Sequence, residues 1–293
     1  MRLVLVSGLS GSGKSIALDV LEDSGYYCVD NLPATLLLDV VKFLADGGQR
    51  RIAVSVDARS VALSSLPQNL AALKALGAET TVLFLEAGPE VLLRRFSETR
   101  RSHPLAGSDG TAGLTLAEAI ERERALLSGV AELAHRIDTS GLQPRVLRNW
   151  IKDLLGAEAG SLTLLFESFA FRDGIPLDAD WVVDARMLPN PHYQPGLARL
   201  TGRDPAVIEF LESDETVRAF LADLGAFLGR WLPEVRRDSR NYLTVAIGCT
   251  GGRHRSVYLA ERLAKAFGAP WRVLVRHRGI AGEQSGDPHT AAE

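Results

Sequence analysis

Gly8-Leu9-Ser10-Gly11-Ser12-Gly13-Lys14-Ser15 follows directly on an apolar run at 3–7 (LVLVS). It satisfies G-x-x-x-x-G-K-[ST] at every required position. Glycines let successive backbone amides curl inward around phosphate oxygens with no Cβ in the way. A helix beginning near Lys14 would aim its positive dipole end at the same anion. The pattern predicts that residues 8–15 hold the phosphates of ATP or GTP, with Lys14 reaching the β- and γ-phosphates and Ser15 ligating Mg²⁺. The competing reading is a chance glycine-rich turn. An apolar strand before it and a helix after it argue against that.

Such a loop also needs an acidic residue at the end of a neighbouring strand to hold the water shell of the Mg²⁺. Asp57, closing IAVSVD at 52–57, is the better candidate, and Asp30, closing YYCVD at 26–30, is the runner-up. Either could instead cap a helix. Ala58, Arg59 and Ser60 continue the Asp57 loop, where Arg59 and Ser60 can reach phosphate or base. Lys14 and Asp57 are therefore the catalytic candidates.

Around these motifs the first half alternates β-rich runs with helical patterns. Strands are expected at 3–7, 26–30, 52–57 and 80–85, with a short one ending at Ile137. Helices are expected at 14–21, from Pro33 toward Leu44, at 69–76, 89–96, 116 to about 135, and 145–155. This alternation predicts an α/β fold: a mainly parallel, kinase-like sheet covered by helices on both faces. The segment 92–105 (LLRRFSETRRSHPL) carries Arg94, Arg95, Arg100, Arg101 and His103. It reads either as an arginine-rich lid over the phosphates or as a solvated helix end paired with Glu90 and Glu98.

A small polar stretch at 156–161 (GAEAGS) reads as a linker, after which the alternation restarts. Strands are expected at 162–169, 181–184, 243–247 and 271–275. Helices are expected at 205–211 and 215–231, and between the last two strands up to 267. The expected domains are 1–156 and 161–280, with a disordered tail at 281–293. Ile247-Gly248-Cys249-Thr250-Gly251-Gly252-Arg253-His254-Arg255-Ser256 is a second glycine-rich strand-to-helix turn, with backbone donors and two arginines converging. Cys249 and Arg255 also match C-x5-R, the loop of cysteine-dependent phosphatases. Phosphate or phosphosugar binding without chemistry, phosphatase chemistry and a purely structural turn all remain open; no Asp in this stretch is an obvious general acid, which leaves Asp184 and Asp204 open for that role. A polar stretch, Asp184-Ala185-Arg186-Met187-Leu188-Pro189-Asn190-Pro191-His192-Tyr193, follows a strand, where the ligand loops of open sheets collect. His192 there is a ligand candidate or simply a surface residue.

Composition narrows the class. The 293 residues have a net charge of -3, 46% hydrophobic and 24% charged residues, so any basic site must be local. Residues 250–278 hold seven Arg or Lys and one Glu, which reads as an RNA footprint or as a solvated face. Two cysteines, Cys28 and Cys249, fit a reducing compartment. No apolar run reaches the ~18 residues of a membrane span. A cytoplasmic protein with no membrane partner is expected.

With both turns placed, the chain resembles the RapZ/YvcJ family of bacterial P-loop nucleotide-binding proteins. The resemblance is carried by GLSGSGKS at 8–15, VDNLP at 29–33, VDARS at 56–60, RRFSETRRSHPL at 94–105, DARMLPNPHY at 184–193 and YLTVAIGCTGGRHRSVYLAERL at 242–263. It implies an N-terminal domain with ATPase and GTPase activity and a C-terminal domain sensing a phosphorylated amino sugar, glucosamine-6-phosphate in the enterobacterial members. It further implies a homo-oligomer that binds small RNA and presents it to an RNase. Carried onto this sequence, Gly8 to Ser15 would bind ATP, and Asp57, Ala58, Arg59 and Ser60 would form the GTP-linked segment. His192, Tyr242, Thr250, Gly251 and Arg255 would line the sugar-phosphate site. One departure bears on RNA: no Lys or Arg follows Arg278, whereas RNA-acting members carry a basic C-terminal end.

Overall fold

The apolar run before the first glycine turn forms β1 (Arg2–Gly8), whose inner residues are wholly buried. In the computed structural model it lies at the centre of a five-stranded sheet, order β2-β3-β1-β4-β5, with every pair parallel. The other strands are β2 (Tyr27–Val29), β3 (Arg51–Ser55), β4 (Glu79–Glu86) and β5 (His135–Asp138). A parallel strand covered on both faces must be apolar at every position rather than at alternate ones. The structure describes residues 1–60, 62–106, 113–155, 162–237, 242–268 and 271–280. The expected linker at 156–161 and tail at 281–293 lie outside them.

Between these strands, among the described residues, lie α1 (Lys14–Asp23), α2 (Leu37–Asp46), α3 (Leu66–Ala75), α4 (Pro89–Thr99) and α5 (Leu116–Ala131), and α6 (Pro144–Leu155) follows β5. Leu3 and Leu5 share one core with α2, α3 and α5. Val4 and Val6 alternate to the opposite face, where α1 and α6 pack on each other. The expected two-sided cover is present. Thr115 opens α5 with a capping box: its hydroxyl accepts from the Glu118 amide and the Glu118 carboxylate takes the Thr115 amide.

Several boundaries differ from expectation. The segment after Pro33 begins as a 3-10 turn, Ala34–Leu36, before α2. β3 stops at Ser55, so Asp57 sits in the loop two residues beyond it. The helix expected to reach 135 stops at Ala131, because His135 is drawn into β5 beside Leu83.

The chain forms two compact units, Met1–Ala159 and Gly160–Glu293. The second unit holds a four-stranded parallel sheet, order β7-β8-β6-β9, built from β6 (Thr163–Ala170), β7 (Trp181–Asp184), β8 (Tyr242–Cys249) and β9 (Arg272–His277). Its helices are α7 (Pro205–Ser213), α8 (Glu215–Arg237) and α9 (Arg255–Ala266). Leu164, Phe166, Val245 and Ile247 pack against Leu228 and Leu232 of α8 and Leu259 and Leu263 of α9. Helix α8 runs past the expected end at Trp231 and carries Pro233 within it.

Candidate functional site

The sheet order places the turn after β1 beside the loop after β3, at the carboxyl ends of the strands, where parallel sheets take their ligands. Gly13 is the N-cap of α1 with φ 104°, a conformation in which a side chain is strained. No side chain caps this helix and its first turn contains no acidic residue. The first-turn amides have no intrahelical acceptors, so the positive end of α1 is left to an anion from outside the helix. Lys14 folds back over the turn, its Nζ donating to the Gly8 carbonyl at 2.6 Å. Burial lowers its pKa, and the charges of Glu123, Asp57 and Asp30 act against that shift. Ser15, next in the chain, is exposed.

Asp57 is 8% exposed and engaged by its own loop. Arg59 donates to it from Nη2 at 2.6 Å, from Nε at 2.9 Å and from its backbone amide at 3.0 Å. Ser60 ties the same loop to the 3-10 turn, its hydroxyl accepting from the Ala34 amide at 2.6 Å. Ala58 is buried. Asp30 accepts from the Ser55 hydroxyl at 2.6 Å. Both candidate acids thus sit in the field of Lys14, while Arg59 is held at Asp57.

The arginine-rich segment divides in two. Arg94, Arg100 and Arg101 are exposed. Arg95 is turned onto the phosphate loop, donating to the Gly11 carbonyl at 3.0 Å and to both oxygens of Thr139, Oγ1 at 3.0 Å and the carbonyl at 2.7 Å. His103 is buried and stacks obliquely on Phe96, ring centroids 5.2 Å apart. Its Nδ1 accepts the Leu105 amide, so the ring proton is on Nε2, which faces Glu123 Oε2 at 3.2 Å. Glu123 in turn takes the Ser10 amide and the Ser10 hydroxyl, each at 2.7 Å. The sequence reading missed Glu123 and Thr139. A signal for Glu123 existed: it lies on the buried stripe of α5 with Ile120, Leu127 and Val130, where an amphipathic helix carries apolar residues.

The second glycine turn is also closely packed. Gly252 has φ 64°, and a Cβ there would stand 2.9 Å from the Ala170 amide nitrogen. Cys249 is 2% exposed and its Sγ lies 3.2 Å from the Ser256 hydroxyl. Burial pushes this thiol up; the Ser256 hydroxyl and amide, the Arg255 charge and the Gly252 amide outweigh it and hold the thiol low. Arg255 is itself 3% exposed. Its Nη1 donates to the carbonyls of Arg186 at 2.8 Å and Leu188 at 3.0 Å, and its Nη2 to the Thr250 hydroxyl at 3.3 Å. Its Nε is buried with no acceptor among the described residues.

Of the residues expected around this turn, Thr250 is exposed and bonded to Arg255, and Gly251, which follows it, is half-buried. His192 is exposed, its ring 6.5 Å from that of His254, and Asn190 Oδ1 caps its backbone amide. His254 has its pKa lowered by burial and bonds the Leu197 carbonyl. Tyr242 is placed elsewhere: it begins β8, whereas Thr250 follows its end, eight residues on and roughly 26 Å away at ~3.3 Å per residue. The two acids open as general acids are also committed, Asp184 to Arg186 at 2.7 Å and Asp204 to the Thr201 amide and hydroxyl. The basic run 250–278 is no continuous charged stripe. Arg255 and Arg276 are buried, Arg262 pairs with Glu212, and Arg278 pairs with the buried Glu167 and Asp178.

A parallel sheet whose central strand leads through G-x-x-x-x-G-K-S into a helix defines the first unit as a P-loop nucleotide-binding fold. Residues 1–159 match the model of the RapZ-like N-terminal domain and residues 162–281 that of the RapZ C-terminal domain. The chain belongs to the RapZ family. A nucleotide-binding protein of Thiobacillus denitrificans is 58% identical, covering 96% of this chain and 100% of its own length. One from Methylobacillus flagellatus is 55% identical, with 96% and 99% covered. Among solved structures, shikimate kinase from Acinetobacter baumannii is 18% identical over 52% of this chain and 92% of its own, with a TM-score of 0.37. No helix among the described residues is long and apolar enough to cross a membrane.

Proposed function

We propose that the chain binds Mg²⁺ with ATP or GTP at Gly8 to Ser15, hydrolyses it slowly, and senses a phosphorylated amino sugar at the turn 249–255. The observation that carries the nucleotide reading is the N-terminus of α1, left without a side-chain cap or first-turn acid and with the Lys14 ammonium folded over it. The amides and the ammonium together form a phosphate cradle. The hydroxyl of Ser15 and the carboxylates of Asp57 and Asp30 are oxygen ligands of the kind that suit Mg²⁺, a hard ion that keeps waters and phosphate oxygens. Ser15 would supply its hydroxyl, and Asp57 or Asp30 would hold the water shell. Mg²⁺, when bound, would supply charge neutralisation; the chain supplies Lys14 and the amides, which would hold the triphosphate still. Asp57 is bonded to Arg59, so that pair opens if the carboxylate turns toward the ion.

The sugar-phosphate reading rests on Thr250, Gly251 and the Arg255 charge lying together at a helix N-terminus. Partnership with small RNA, an RNase and further copies of the chain rests on family membership alone. Calorimetric titration of the purified protein with Mg·ATP, Mg·GTP and glucosamine-6-phosphate tests both sites. Lys14→Ala should lose nucleotide binding and keep the sugar phosphate. Unimpaired ATP binding by that variant would refute the assignment.

A second reading, phosphoryl transfer through Cys249, has one observation in its favour: the thiol is held low by the Ser256 hydroxyl and the Gly252 amide despite its burial. Against it, the thiol is almost inaccessible and Arg255 Nη1 is bonded to carbonyls rather than free to clamp a phosphate. Phosphate release should be the same in Cys249→Ser as in the unaltered protein; its abolition would establish the second reading.

A further inference from the structure

Two neighbouring residues of the phosphate loop, Ser10 and Gly11, are gripped by side chains that belong to no part of the G-x-x-x-x-G-K-S motif. Glu123 on α5 takes both polar hydrogens of Ser10, amide and hydroxyl, at 2.7 Å each. Arg95 on α4 donates to the carbonyl of Gly11 and, with its other nitrogen, to Thr139 after β5. His103 completes the link. It lies on the same chain segment as Arg95 and donates its Nε2 proton to Glu123. The loop is thus held through its amide on one side and its carbonyl on the other, by one contiguous stretch of chain and the acid that stretch supports.

This arrangement is costly unless it has a purpose. Glu123 is 1% exposed on a stripe that is otherwise apolar, and burying a carboxylate is unfavourable unless its acceptor sites are filled. Here both oxygens are filled, two of the three donors coming from the phosphate loop. An apolar residue at 123 would satisfy α5 equally well but would leave the Ser10 amide without an acceptor. The carboxylate therefore answers to the loop and not to the helix that carries it.

We infer that Glu123 and Arg95 are positioning residues for the nucleotide site, clamping Ser10 and Gly11 so that the following amides and Lys14 are held in the curled form before the triphosphate arrives. Neither is a catalytic residue: Glu123 is shielded from solvent, and Arg95 acts through a carbonyl. The inference rests on the reading of residues 8–15 as a nucleotide site. Pre-organising a loop raises affinity by removing the ordering cost from the binding step.

The substitution Glu123→Gln separates the clamp from mere charge. A glutamine oxygen at the Oε2 position keeps the Ser10 amide and His103, and its NH₂ can donate to the Ser10 hydroxyl once that hydroxyl turns to accept. The experiment measures Mg·ATP affinity and amide hydrogen exchange over residues 8–14 in the full-length protein and in Glu123→Gln, Glu123→Ala and Arg95→Ala. Glu123→Ala should weaken ATP about tenfold and speed exchange in the loop. Arg95→Ala should do both to a lesser degree, and Glu123→Gln should stay within about threefold of the unaltered protein. Circular dichroism and melting temperature show whether the alanine variants are folded; if Glu123→Ala is not, Ser10→Ala, which removes only the hydroxyl half, should still weaken ATP measurably. Unaltered loop exchange in Glu123→Ala, or a glutamine variant as weak as the alanine one, overturns the clamp. Failure of the unaltered protein to bind ATP at all overturns instead the nucleotide reading on which it rests.

Discussion

The two glycine-rich turns are built from the same parts and hold their cations in opposite ways. Each joins a buried parallel strand to a helix, and each sets a basic side chain at or near the first helical residue. In the turn at 8–15, Lys14 makes one hydrogen bond, to Gly8, and carries a field of three carboxylates. In the turn at 249–255, Arg255 is sunk beneath the loop and spends its guanidinium on the carbonyls of Arg186 and Leu188. The first cation can exchange a single carbonyl for a phosphate. The second fixes the loop 184–188 against the turn and would act on a ligand mainly through charge and through Thr250. Glycine spacing alone does not distinguish these states; the number of protein acceptors around the cation does.

That contrast can be broken experimentally, and the largest effect should come at Lys14. Its replacement by alanine removes a charge-assisted contact worth about 3 kcal/mol, so ATP affinity should fall on the order of a hundredfold in a fluorescent-nucleotide titration. The second turn should not notice. Gly252→Ala tests the reverse case. It forces a left-handed backbone on alanine and drives a Cβ to 2.9 Å from the Ala170 nitrogen. Unfolding of the second unit should become easier by about 2 kcal/mol in urea, with ATP affinity unchanged. An unaltered unfolding midpoint would show that the turn is looser than described.

The smallest expected effect is one of pH. Glu167, fully buried in β6, has its pKa raised to about 7, first by burial and then by Asp178, with Arg278 and Arg276 opposing. Because the folded value lies above the unfolded one, its stabilising share is complete below about pH 4.3 and lost as pH rises through 7. Stability of the second unit should therefore decline between pH 5 and 7 through this residue, and Glu167→Gln should flatten the decline. Identical pH slopes in the two proteins would show that Arg278 and Arg276 neutralise Glu167 completely.

Glu167 and Glu123 also show why part of the site escaped a reading of the sequence. Both place a carboxylate where burial favours apolar residues, one in a strand buried at every position and one on the buried stripe of a helix. Such an interruption signals a polar role but does not name the partner. For Glu123 the partner lies 113 residues away at Ser10, and for Glu167 it lies 111 away at Arg278. Arg95 likewise reads equally well as lid or solvated helix end until Gly11 and Thr139 are seen against it.

By itself, the sequence determined the parallel sheets and the place of the phosphate loop, because strand burial, glycine conformation and helix initiation are set by residues adjacent in the chain. Only the tertiary structure decided that Lys14 is bonded to a single carbonyl while Arg255 is enclosed by several acceptors. It also moved Tyr242 to the far end of its strand and brought Glu123 beneath Ser10. Those outcomes depend on which distant acceptors the packed sheet delivers to each cation and amide, and chain-neighbour chemistry carries no record of them.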